Sequence, residues 1–103
     1  MKLIIKKSDR PEKEYKAVFK ENNKIVKTTY FGDPNLNQYV SRKGKKVTDV
    51  QRDNYISRHK KDLDTGDSMR AGYLSLYILW SYATNSRSIR TNIKDFKDRF
   101  GYT

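Results

Sequence analysis

The chain has 103 residues, no cysteine and one histidine, and its 23 lysines and arginines outweigh 12 aspartates and glutamates to give a net charge of +11. These counts exclude disulfides, a thiol nucleophile and any metal site built from cysteines or several histidines, and the length fits a single domain. With only 35% apolar residues but eight Tyr, four Phe and one Trp, the core is expected to be small and rich in aromatic rings.

Leu3-Ile4-Ile5 reads as a short strand, and the apolar run at this end is too short for a signal peptide. Ser8-Asp9-Arg10-Pro11-Glu12 is a loop, because proline cannot continue a ladder. From Glu14 to Lys20 the pattern has period two, with Tyr15, Ala17 and Phe19 on one face and Lys16, Val18 and Lys20 on the other. Asn22-Asn23 supplies turn chemistry, and the β-branched and aromatic run from Lys24 to Phe31 completes an antiparallel hairpin. Gly32-Asp33-Pro34-Asn35 ends the sheet. Residues 36–47 show no period and contain the basic cluster Arg42-Lys43-Gly44-Lys45-Lys46.

Thr48-Asp49-Val50-Gln51 has the form of a capping box, which predicts a helix from there to about Asp62. Its apolar stripe is expected at Val50, Tyr55, Ile56, His59 and Leu63. The one long apolar run, residues 70–82, predicts a buried central helix bearing Trp80. Gly66, Asp67 and Ser68 are expected to supply its turn and N-cap. The run is too short to cross a bilayer. A last helix begins near Ser86 or Ser88. Ile89, Ile93, Phe96 and Phe100 mark its buried face, Asp95 and Arg99 pair along its wet face, and Gly101 ends it. The expected architecture is α+β: a small antiparallel sheet of two to three strands over residues 1–31, a basic loop over 32–47, and three helices over 48–101, all in one domain.

The landmarks Phe31-Gly32, Tyr39, Arg52, Tyr55, Arg58-His59-Lys60, Ala71-Gly72, Leu79-Trp80, Ser88 and the run from Asp95 to Phe100 follow a particular spacing. In these residues the chain resembles a family of small uncharacterised basic proteins encoded by large double-stranded DNA viruses of amoebae and algae. The resemblance spans about residues 30–100. It implies a viral source, an infected host cell as the setting and a place in the virion, and it implies no activity. Where that family often has an acidic residue and a histidine before the arginine, this chain has the more basic segment Arg42 to Val47.

Charge points to the partner. Residues 1–31 carry +5, residues 32–41 carry −1, residues 42–61 carry +6 and residues 62–103 carry +1. Such an excess attracts polyanions. The candidate nucleic-acid-binding residues are therefore Arg42, Lys43, Lys45, Lys46, Arg52, Tyr55, Arg58, His59, Lys60 and Lys61, with Tyr39 and Tyr55 as stacking platforms for exposed bases. No base-reading motif occurs, so contact with the phosphate backbone is expected, with DNA ahead of RNA. No cofactor and no membrane partner is expected. The alternative is a non-enzymatic virion adaptor binding an acidic protein, which exposed aromatics such as Tyr73 or Tyr102 would favour. A small nuclease using His59 and Arg58 is the minor enzymatic reading; it lacks a second catalytic group at visible spacing. Asp62, Asp64 and Asp67 lack the pattern and closing Glu of a calcium loop and read as turn and capping residues.

Overall fold

Three short strands pair because their apolar residues alternate. In the computed structural model, which describes residues 1–40 and 46–103, β1 (Lys2–Lys7), β2 (Tyr15–Glu21) and β3 (Lys24–Phe31) form an antiparallel sheet in the order β1-β2-β3. Leu3, Tyr15, Ala17, Phe19 and Phe31 share the inner face, and each is buried. Asn22 and Asn23 both have positive φ, 51° and 65°, as a two-residue type I′ turn requires. The register shifts between Phe19 and Lys20, where β3 carries an extra residue. The C-terminus partly covers the β1 edge: Leu3 donates its N–H to the Thr103 carbonyl at 3.0 Å, and Thr103 donates to that of Met1 at 3.1 Å.

The helices form the second layer, on the inner face of the sheet. Helix α1 (Asp49–His59) starts at the expected capping box, with Thr48 and Gln51 bonded reciprocally. It continues as a 3₁₀ segment, Lys60–Thr65. Helix α3 (Ile89–Phe100) is capped by the Ser88 hydroxyl, which accepts from the Thr91 N–H, and closes at Gly101 with φ 75°. Arg99 and Asp95 pair on its outer side at 3.2 Å. Phe96 is fully buried. Tyr73, Tyr77, Phe100 and Tyr102 gather around it in a network of ring contacts between 4.8 and 6.1 Å. Three helices over an antiparallel sheet make this an α+β fold.

The central run departs from the expected α-helix. Helix α2 is one turn, Ala71–Leu74, and the backbone then widens into a π-helical segment, Ser75–Leu79. The N–H of Trp80 reaches back to the Ser75 carbonyl, and Ser81 turns the chain with φ 55°. The segment ends at Leu79, which leaves carbonyls around its end without ladder partners; polar side chains from the flanking helices bond those of Ile78, Trp80 and Ser81, and the Ser81 carbonyl also accepts from the N–H groups of Thr84 and Asn85. Asn92 of α3 donates to Ile78 at 2.9 Å; Arg52 of α1 donates to Trp80 at 2.9 Å and to Ser81 at 2.6 Å. Buried carbonyls need such partners. The start also differs from expectation. Arg70 occupies the N-cap position without a side-chain cap, while the Asp67 carboxylate accepts from the Met69 N–H in the preceding turn.

Candidate nucleic-acid interface

Of the residues expected to bind, Arg42, Lys43 and Lys45 lie outside the described residues. The other seven divide sharply. Arg52 is buried, and its guanidinium is committed to the carbonyls of Trp80 and Ser81. It does not stand on the surface to meet a phosphate. Val50, assigned to the inward stripe, is instead 69% exposed. The helix is rotated so that Arg52 and Tyr55 look inward, Arg52 to the carbonyls of Trp80 and Ser81 and Tyr55 to the Trp80 ring, while Val50 faces solvent.

The two tyrosines proposed as stacking platforms have their faces occupied. Tyr55 lies flat on Trp80, with ring centroids 3.8 Å apart and planes 4° from parallel, and His59 covers its other face at 4.1 Å. Burial pushes the Tyr55 phenol pKa up, and the nearby Asp62 carboxylate adds to the rise. Tyr39 is buried beneath Arg87, whose guanidinium sits 3.9 Å from the ring centroid, with the Arg52 guanidinium at 5.2 Å. Its hydroxyl donates to Asp49 at 2.8 Å, and that bond to a carboxylate, more than burial, raises its pKa. A base therefore has no open ring face to stack on at either position.

His59 forms the outer layer of the Trp80–Tyr55–His59 stack and is half-buried, with Nδ1 3.6 Å from an Asp62 oxygen. Lys46, Arg58, Lys60 and Lys61 are exposed, with no carboxylate within ion-pair distance among the described residues. Asp49 and Asp53 share the same stretch, however, and Asp62, Asp64 and Asp67 follow directly after it. Residues 46–67 together hold five cations and five carboxylates. Tyr73 is buried, and Tyr102 is half-buried with its hydroxyl 2.6 Å from that of Ser68. Neither is the exposed aromatic that an adaptor would present.

Among the described residues a second group of cations lies elsewhere, on the outer face of the sheet. The register places Lys2 opposite Lys20 and Lys6 opposite Lys16, with Ile4 opposite Val18 between them. Directly opposed Cβ atoms stand about 5 Å apart, and the two lysine pairs are about 13 Å apart along the strands at roughly 3.3 Å per residue. No acidic residue occupies this face of β1 or β2. One neighbouring carboxylate reaches it: Asp9 lies 3.7 Å from Lys16 and accepts from the Tyr30 hydroxyl at 2.8 Å. That hydrogen bond, ahead of the lysine's charge, lowers the Asp9 pKa. The helices cover the opposite face, so among the described residues these lysines and the cations of α1 lie on different sides. Period-two alternation marked Lys16 and Lys20 as outward; opposing them to lysines required the β1–β2 register.

A groove lies beside the aromatic stack. Leu36, Asn37, Lys46, Val47, Gln51, Tyr55, Arg58 and Trp80 line a cavity of about 370 Å³. A second hollow of about 170 Å³ shares Leu36, Tyr55 and Trp80 and extends toward Lys13 and Asp33. Among the described residues no helix is long and apolar enough to cross a membrane. No family model matches the chain, and no curated protein or solved structure is significantly similar to it.

Proposed function

We propose that this protein binds nucleic acid without catalysing a reaction, through phosphate contacts that are largely independent of sequence. One observation carries the reading: two pairs of lysines stand directly opposite one another on the outer face of the sheet. Like charges placed this way destabilise the pair of strands. A polyanion removes the repulsion, and each phosphate neutralised releases condensed counterions. DNA is the expected form, given the resemblance to proteins of double-stranded DNA viruses, and packaged viral DNA is the natural setting. The exposed Arg58, Lys60 and Lys61 add a weaker positive field on a separate side.

A filter-binding titration of a random-sequence duplex tests this. With Lys16 already paired to Asp9, three neutralised phosphates give a log–log salt slope of about −2.7, which is roughly a fortyfold loss of affinity between about 50 and 200 mM salt. Replacing Lys2, Lys6, Lys16 and Lys20 together with Gln should flatten that slope and leave the fold intact. Lys20→Gln alone should weaken binding while stabilising the protein by about 0.2–1 kcal/mol, because it removes a like-charge pair. Affinity that ignores salt, or that survives the fourfold replacement, refutes the proposal.

A further inference from the structure

The groove beside the aromatic stack has a chemistry of its own. Its apolar side is Leu36, 55% exposed, together with the edges of Tyr55 and Trp80. Lys46 and Arg58 line the same cavity, and among the described residues neither has a carboxylate within ion-pair distance. The Gln51 side chain also faces it; its amide Oε1 accepts from the Thr48 N–H at 2.9 Å, which fixes the amide in place. The volume of about 370 Å³ falls among those of small-molecule sites.

We propose that this groove takes one unpaired nucleotide of a single strand, with the base against Leu36 and the rim of the Tyr55–Trp80 stack and the phosphate between Lys46 and Arg58. The inference rests on the nucleic-acid reading and adds to it a preference for an unpaired base. Two cations beside an apolar wall complement a ligand that is anionic at one end and flat and weakly polar at the other. Inorganic phosphate satisfies the cations alone and leaves the wall uncovered. A base within a duplex is paired and stacked, and its faces cannot reach the wall. Because Trp80 and His59 close both faces of Tyr55, the base packs along the rim instead of inserting between rings.

Trp80 is the only tryptophan in the chain, so its emission reports on this groove. The full-length protein is titrated with a short thymidine oligonucleotide, with inorganic phosphate and with a random duplex, following Trp80 fluorescence, and duplex binding is also measured on filters. The expected result is a saturable change with the oligonucleotide and none with phosphate. Arg58→Gln and Lys46→Gln should each weaken the oligonucleotide response about tenfold, as loss of one charge-assisted contact does; both residues are exposed, and circular dichroism verifies the fold. Leu36→Ser should weaken it as well. A silent Trp80 in protein that still binds duplex on filters overturns the groove proposal alone. So does an equal response to phosphate, or a response that survives the double replacement of Lys46 and Arg58. Absence of binding to duplex and oligonucleotide alike overturns the nucleic-acid reading itself.

Discussion

Arg52→Ala should be among the most damaging substitutions in this protein, although the residue lies in a basic stretch that invites a surface role. The Arg52 side chain is 11% exposed, and its guanidinium donates to the carbonyls of Trp80 and Ser81 at 2.9 and 2.6 Å. Hydrogen bonds from a charged donor contribute about 1.5–3 kcal/mol each, and the Trp80 carbonyl, left without a partner, adds about 1–3 kcal/mol, whereas the Ser81 carbonyl keeps the N–H groups of Thr84 and Asn85. The guanidinium also sits 5.2 Å from the Tyr39 ring centroid. The Asp53 carboxylate, 3.5 Å away and 70% exposed, adds little. Truncation should therefore cost about 3–5 kcal/mol, close to the loss from breaking a buried ion pair. For a chain of this length that lowers Tm by roughly 12–20 °C. Arg52→Lys keeps the charge but lacks the fork that spans two carbonyls, so it should recover about half of the loss. Urea unfolding measures both, with the midpoint falling and the slope m unchanged. If Arg52→Ala shifts stability by less than about 1 kcal/mol while nucleic-acid affinity drops, Arg52 is a phosphate contact and the placement of α1 is wrong.

Gly72→Ala tests the packing of α2 on the 3₁₀ segment. A Cβ there would lie 2.8 Å from the Asp62 Cβ, so the substitution should destabilise by about 1–3 kcal/mol even though alanine favours helix; thermal unfolding that is unchanged or improved would contradict it. The alkaline limb of the stability profile follows from Tyr39, Tyr55 and Tyr77, whose pKa values are all raised, the first mainly by its bond to Asp49 and the other two mainly by burial. A raised folded-state pKa means that the stabilisation is fully present below the ordinary tyrosine value of about 10 and is lost as pH climbs through the higher folded values. Urea midpoints should therefore fall above about pH 10, and Tyr39→Phe should make the fall shallower; a midpoint flat across that range would refute the assignment.

Much of the chain is legible without coordinates because its signals are local. The capping box at Thr48 and Gln51, the Asn22-Asn23 turn and the stop at Gly101 each act within a few residues, and each stands where the pattern puts it. So do the alternation of Tyr15, Ala17 and Phe19 and the spacing of Ile89, Ile93, Phe96 and Phe100. The spaced landmarks Tyr39, Arg52, Tyr55, His59 and Trp80 acquire a shared meaning only in three dimensions. They converge on one assembly of stacked rings and anchored carbonyls, which accounts for their spacing by architecture without invoking chemistry.

Residue order determined which segments become strand or helix, and where capping and turn residues act locally, at Thr48, Ser88 and Gly101, it determined the ends as well; the start and the π-helical form of the central run it did not. Tertiary structure alone decided which cations reach solvent. Arg52 turned inward because a carbonyl 28 residues away stands free where the central helix ends, and Lys2 and Lys6 came to face Lys20 and Lys16 only once β1 adopted its register on β2. A charge gains or loses its solvent according to what lies across the fold from it; periodicity marked Lys16 and Lys20 as outward but carried no information about what stands opposite them or what buries Arg52.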